Sequence, residues 1–466
     1  MIHLRRGLLL WALLLSNFLV IWSPDVLPAS LFAWTVLREG NVDYDEFTFL
    51  DRDAYFFRAC GPEGTPSTAP LRSARSPGGP PPPGPRDHVC SIFPPGAAIL
   101  ALPAFAPFVL AGRTPEDLPL LLVVGKVVAA VWEALTAVLL IAAARRIAGD
   151  EPWAVALGLL YLLGTSVRTI SSQALWQHGA VHLLLALALL VLVRVLMGDA
   201  ERSRELFVAG LALGFAVVVR QTSAVFALAA VAALLLARRP AQVLVVGALV
   251  GALPLFAYDL LAFGNPLEQG YGAKPFGTPF STGLHGLLLS PSRGLLLYSP
   301  FLVFALPTLG RSWRARTDAL APLWRAFGVA TLALLAGYAL YTEWWGGRVF
   351  GARFLSDVFP VLVLALAPVR PRGGWRWVFA AAAGWALLLH NAAALVYDQR
   401  WDTATNVNFD PSRLFSWSDP QWLDSLREAV VRAGPPEGAA ILVSALVLGL
   451  LFYFERARAR GGTLAG

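Results

Sequence analysis

Charge is the first thing this chain has little of. Only 14% of its 466 residues are Asp, Glu, Lys or Arg, against ~25% in ordinary soluble domains. Cysteine and methionine occur twice each, and lysine occurs only as Lys126 and Lys274. The low charge, with 57% hydrophobic residues and a mean hydropathy of +0.61, excludes a soluble globule. Two cysteines exclude a disulfide-dense scaffold, and there is no Cys-x-x-Cys pair for metal or redox chemistry. The formal net charge of +7 comes almost entirely from arginine. Arginine retained in cytoplasmic loops explains such a surplus, so no nucleic-acid partner is expected.

What the chain does have is long apolar runs. A bilayer crossing takes ~20 apolar residues, and backbone in lipid must bond internally. The repeated runs therefore predict an all-α, polytopic transmembrane helical bundle forming one domain over residues 1–466. Candidate spans are 8–22, 119–143, 152–168, 178–197, 206–219, 223–237, 241–262, 295–309, 326–342, 354–369, 377–396 and 438–454. The first, with Arg5-Arg6 before it, reads as a retained signal anchor rather than a cleaved signal peptide. Alternating these spans puts the arginine clusters on one side, beginning with Arg5-Arg6 and Arg145-Arg146 and ending with Arg456, Arg458 and Arg460. Both termini are then cytoplasmic, in an arrangement fitting a bacterial inner membrane. Residues 92–111, IFPPGAAILALPAFAPFVLA, are apolar enough to span but hold four prolines. They read as an interfacial or re-entrant element, with a thirteenth span as the alternative.

Residues 23–118 form a long first extracytoplasmic loop. It holds both cysteines, Cys60 and Cys90, around the Pro-rich, low-complexity insert 61–87. An oxidising exterior favours a Cys60–Cys90 bridge over two free thiols. The same loop gathers acids: Asp25, then LREGNVDYDEF (37–47) with Asp43 and Asp45. A carboxylate held between apolar elements can act as a general base, and paired carboxylates can hold a divalent cation, the one candidate cofactor. A merely solvated acidic loop is the competing explanation.

Arginines stand on the same side: Arg220 in VVVRQTS, Arg293 in SPSRG, and Arg348 and Arg353 in YTEWWGGRVFGARFLSD. They oppose the positive-inside tendency and suit an anionic membrane lipid, because a guanidinium bonds two phosphate oxygens at once. Arg348 with Glu343 is the pair best placed to be a local salt bridge. Trp344, Trp345, Trp176 and Tyr298 read as an interfacial belt, with stacking on a sugar ring as the alternative. His178 opens a span without a ligand-spaced partner, which argues against zinc. Lys126 and Glu133 lie two turns apart on one helix face, as a functional site or a mutual pair.

Together these residues resemble the GT-C superfamily of integral-membrane glycosyltransferases. That group includes protein O-mannosyltransferases, oligosaccharyltransferases and the lipid A aminoarabinose transferase. The resemblance rests on Asp25 followed by DYDE (43–46), on FPPGAAILALP (93–103) and on SSQALWQHG (171–179). It extends to SPSRGLLLYSPF (290–301) and YTEWWGGRVFGARFLSD (341–357), which are similar to a bacterial branch of glycosyltransferase-like membrane proteins. It implies a GT-C-like fold and an inverting sugar transfer from a polyprenyl-phosphate donor on the extracytoplasmic face. Asp25 would match the first-loop catalytic acid, with Asp43 and Asp45 as second candidates. Arg293 and Arg353 occupy loops suited to the basic side chains with which the family holds the carrier phosphate. Arg220, Arg348, Glu343, Trp344 and His178 are, by their own position, further candidates for binding substrate. A transporter or flippase for a lipid-linked anion, or a non-catalytic membrane scaffold, are the rival functions.

Overall fold

The computed structural model describes all residues except 1, 18–22, 52–53, 61–71, 74–75, 78–87, 200–202, 269, 272–275, 316, 433 and 463–466. Most of the insert 61–87 therefore lies outside the described residues. Helices dominate. In order they are α1 (Ile2–Leu15), α2 (Leu27–Trp34), α3 (Gly96–Leu110), α4 (Leu118–Ala148), α5 (Glu151–Leu163) and α6 (Gln177–Leu196). Next come α7 (Ser203–Val219), α8 (Ala224–Leu236), α9 (Gln242–Phe263), α10 (Phe280–Leu289), α11 (Leu295–Tyr298) and α12 (Leu306–Ser312). The chain continues through α13 (Ala321–Leu340), α14 (Phe359–Ala365), α15 (Trp375–Val396), α16 (Arg400–Ala404), α17 (Gln421–Val431) and α18 (Pro435–Gly462). Six of the described helices are long and apolar enough to cross a membrane: α4, α6, α9, α13, α15 and α18.

Two of the other expected spans, 8–22 and 295–309, are cut short or broken for a local reason. Helix α1 ends at Leu15, and residues 18–22 of the expected span 8–22 lie outside the described residues. Ser16 Oγ donates to the Leu13 carbonyl at 2.6 Å, and buried Arg168 donates to the Leu13 and Leu14 carbonyls at 3.0 and 3.2 Å. Lys126 Nζ donates to the Asn17 carbonyl at 2.6 Å. Two buried cations thus face a helix C-terminus, the end that carries partial negative charge. Lys126 and Glu133 are therefore not a mutual pair, because Glu133 bonds Tyr161 and His182 instead.

The expected span 295–309 is broken into α11, a 3₁₀ segment Pro300–Ala305 and α12. Pro300 and Pro307 each remove a backbone donor from this stretch. Segment 92–111 keeps two of its prolines, Pro103 and Pro107, within one continuous helix, α3. Both prolines sit on the exposed face, whereas Ala97, Ala101, Phe105 and Val109 form the buried stripe. At 15 residues, α3 extends only ~22 Å, less than a ~30 Å hydrocarbon core.

Helix junctions follow ordinary capping chemistry. Gly149, at φ 64°, closes α4, and Asp150 accepts from the Trp153 amide at 3.1 Å to open α5. In the first outer loop, strands Phe57–Cys60 and His88–Ser91 pair antiparallel, with Phe57 opposite Ser91. The Cys60–Cys90 disulfide ties them, with Cα atoms 5.7 Å apart. Arg58 anchors this ribbon to the bundle, reaching Glu268 at 3.1 Å and lying 4.5 Å from the Phe263 ring centroid.

Helices α7 and α9 make a notably close approach. Gly210 and Gly214 face Gly247 and Gly251, two reciprocal small-xxx-small motifs. A Cβ at Gly214 would stand 1.9 Å from the Ala248 carbonyl oxygen, and one at Gly251 2.2 Å from that of Leu211. Backbone cannot yield as a side-chain tip can, so Gly214→Leu must force the helices apart. We expect a loss of about 1–3 kcal/mol or failure to fold. Thermal unfolding in detergent would check this. Gly337→Ala, whose new methyl meets nothing within 4 Å, should leave the midpoint unchanged.

Candidate functional site

The first outer loop and the loop before α14 meet at one cavity. Ser23 and Pro24 lead into a short 3₁₀ turn that presents Asp25 just ahead of α2. From 328 positions away in sequence, Arg353 Nη2 donates to Asp25 Oδ2 at 2.9 Å. The loop can deliver Arg353 because Gly346, Gly347 and Gly351 take left-handed backbone, with φ of 76°, 82° and 84°. A second Arg353 nitrogen, Nη1, donates to the Gly346 carbonyl at 3.0 Å, and the guanidinium lies 4.1 Å from the Trp176 ring centroid. Tyr55 donates its hydroxyl to Asp25 Oδ1. Burial, then the Asp25 carboxylate, holds the Tyr55 phenol well above its ordinary pKa, so it stays a donor.

The cavity is small, about 30 Å³, and opens to solvent. One wall is apolar: Pro28, Ala29 and Phe32 of α2, Phe93, Pro94, Pro95, Ala97 and Ala98 around the start of α3, Leu175 and Tyr258. Asp25, Arg353, Gln177 and Ser91 supply the polar groups. Three lining residues carry buried N–H donors without an acceptor: Arg353 Nε, Gln177 Nε2 and Trp176 Nε1. Beside Gln177, Tyr271 donates to Gln177 Oε1 at 3.2 Å, and burial pushes its phenol up to about 12.

Behind Gln177 lies a buried polar cluster containing two of the expected residues, His178 and Arg220. His178 Nδ1 is 2.7 Å from Asp357 Oδ1, and Arg220 Nε is 3.2 Å from Asp357 Oδ2. Arg220 also donates to Tyr338 at 2.7 Å and approaches His178 Nε2 at 3.2 Å. The guanidiniums of Arg220 and Arg353 lie 5.4 and 5.9 Å from the same Phe354 ring centroid, so the cluster adjoins the cavity. His178 is not a lone histidine: His182, one turn on, faces the same cluster at a centroid distance of 6.4 Å. The spacing in QHGAVH carried that signal.

The remaining expected residues lie apart. Arg293 is 1% exposed and committed to a buried network. It bonds Asp402 at 2.6 Å, Gln421 at 2.7 Å and the Gly347 carbonyl at 3.1 Å. Tyr397 and Gln421 complete the Asp402 carboxylate, at 2.5 and 2.9 Å. Burial raises the Asp402 pKa and Arg293 opposes that shift. Arg293 therefore fastens the outer loops together and is not available to a ligand. Trp344 and Trp345 are buried, with Trp344 against Phe415 at 5.4 Å, so they form no interfacial belt. Trp176 and Tyr298 are buried as well. Glu343 accepts from Tyr341 at 3.3 Å, and Arg348 is exposed on the same loop.

Asp43 and Asp45 turn away to a second place. Between them Tyr44 points inward and donates to the Pro28 carbonyl at 3.0 Å. Asp45 Oδ2 meets His88 Nδ1 at 2.6 Å, and its other oxygen accepts from the Val89 amide at 2.9 Å. The ligand-capable atoms of Asp43, Asp45 and His88 lie within 4.8 Å of one another, which suits a divalent cation. No spacing in the sequence announces His88, which only the strand pairing brings near, or Tyr55.

Comparison with protein-family models, curated proteins and solved structures gave no match. The class established by the helices and their composition is a helical membrane bundle with a cavity beneath its disulfide-tied first loop.

Arg293→Ala leaves Asp402 buried without its cation. Breaking such a pair costs about 3–5 kcal/mol, so the thermal midpoint of the purified protein should fall sharply. Arg348→Ala, at an exposed position, should change it by less than about 0.5 kcal/mol.

Proposed function

We propose that the chain is a membrane glycosyltransferase of GT-C type, moving a sugar from a polyprenyl-phosphate carrier to an acceptor on the extracytoplasmic face. The observation that carries this reading is the cavity's chemistry. An acid, a guanidinium and three buried donors lacking acceptors stand against an apolar wall. A lipid-linked phosphate sugar offers what each part lacks: oxygens for the donors, negative charge for Arg353 and an apolar chain for the wall. Asp25 is the candidate base for the acceptor hydroxyl, whose oxygen attacks the anomeric carbon as the carbon–phosphate-oxygen bond breaks. Arg353 holds the departing phosphate. In the free protein these two groups neutralise each other, at 17% and 15% side-chain exposure. Phosphate arriving at Arg353 would release Asp25 for the acceptor.

A second reading, a transporter of a lipid-linked anion, draws on the buried ionisable cluster of Glu133, His178, His182 and Asp357. Radiolabelled polyprenyl-phosphate sugars incubated with membranes holding equal amounts of wild type, Asp25→Asn and Arg353→Ala separate the two. A transferase should consume a donor in the wild type and lose at least ~10²-fold in each variant. Donor that crosses the bilayer without losing its sugar supports transport. Neither transfer nor movement, over a broad panel, removes both readings.

A further inference from the structure

Inside the bundle, six charged or titratable side chains adjoin one another. Glu133 on α4 accepts from Tyr161 of α5 at 2.5 Å through Oε2. Its other oxygen, Oε1, lies 2.9 Å from His182 Nδ1 on α6. The far nitrogen, His182 Nε2, faces Asp357 Oδ1 at 3.7 Å and has no hydrogen-bond partner. Asp357 then holds His178 and Arg220. Glu133, His178 and His182 are 0% exposed and Asp357 1%.

Hydrogen-bond directions settle the state of most of these groups. A guanidinium only donates, so His178 Nε2 accepts from Arg220 and His178 Nδ1 carries the hydrogen toward Asp357. His178 is thus neutral, and Arg220 balances Asp357. Glu133 accepts from Tyr161, and with Glu133 as a carboxylate His182 Nδ1 donates to its other oxygen. Were His182 also neutral, the group would carry one uncompensated negative charge in the bundle core. The bare lone pair of His182 Nε2 would also face an aspartate oxygen. A buried unpaired charge costs several kcal/mol. One more proton removes both faults: an imidazolium at His182 balances Glu133 and turns Nε2 into a donor aimed at Asp357.

We propose that Glu133, His182 and Asp357 form a proton-binding site inside the bundle, with His182 as its imidazolium, and that this proton holds Asp357 in position for Arg220 and His178. The proposal does not depend on the glycosyltransferase reading. No further cation faces the site among the described residues. Arg168, on the π-helical turn Val167–Ser171, is spent on the α1 carbonyls, and Arg353 is matched by Asp25. At the two ends Tyr161 donates to Glu133 and Tyr338 accepts from Arg220. His182 is accordingly a positioning residue for Arg220.

The test uses the full chain in nanodiscs with ¹⁵N-labelled histidine rings. At about pH 8, where an ordinary histidine with pKa ~6.5 is neutral, one imidazolium signal should remain in the wild type. It should vanish in His182→Gln. Thermal stability of the wild type should fall as pH rises further and this proton is lost. In His182→Gln it should be low and lack that pH step. Adding Glu133→Gln removes the surplus negative charge, so the double variant should recover much of the midpoint that His182→Gln loses. Only neutral histidine rings at about pH 8 would overturn the proposal. So would additive losses in the double variant, or stability that follows sodium concentration and not pH, which would assign the missing charge to a metal cation. Should His182→Gln fail to fold, the wild-type spectrum and the double variant still decide.

Discussion

Asp357 is the side chain on which the rest of the architecture turns. It is 1% exposed and joins the end of α7, through Arg220, to α6, through His178, at the head of α14. A carboxylate there cannot rely on water, so its counter-charges fix how three parts of the chain sit. That arrangement also decides where Gln177 and Trp176 stand, because they immediately precede His178 in sequence and line the cavity. A constraint imposed by desolvation inside the bundle thus sets the geometry of the outer face.

The same physics sorts the arginines. Arg168 caps the carbonyls of a helix that stops mid-bundle, and Arg293 closes a ring of outer loops around Asp402. Arg220 serves Asp357, and Arg353 alone of these reaches the cavity. Each is held by groups distant in sequence, and each keeps its charge because a carboxylate or a row of carbonyls meets it. Arg168 and Arg293 also carry a buried Nε with no acceptor, but only that of Arg353 lies at the cavity, beside the two further unsatisfied donors of Trp176 and Gln177. Unmet donors at a cavity are costly unless a ligand supplies the acceptor, so the functional reading rests on Arg353.

The disulfide-tied ribbon has a matching role outside. It lies over the bundle through Arg58, and Tyr55, just before its first strand, reaches Asp25. Residues near the opposite strand set the Asp45–His88 contact. One covalent bridge therefore stands behind two carboxylate environments, although the insert between its cysteines is mostly outside the described residues.

The sequence by itself determined the helical membrane class, because hydropathy and helix length depend only on neighbours along the chain. It singled out Asp25 and Arg353 through their loops. Tertiary structure alone decided that these two meet, that Arg293 is buried and that Trp344 and Trp345 leave the interface. It also decided that α1 stops at Leu15 and that α3 keeps its prolines on an outward face. The reason is physical. Whether a charged side chain is a ligand contact or a structural pair depends on what faces it across space, and a local pattern does not record partners hundreds of residues away. The HxxxH spacing of His178 and His182 was legible, but only the arrival of Glu133 and Asp357 on either side gives it meaning.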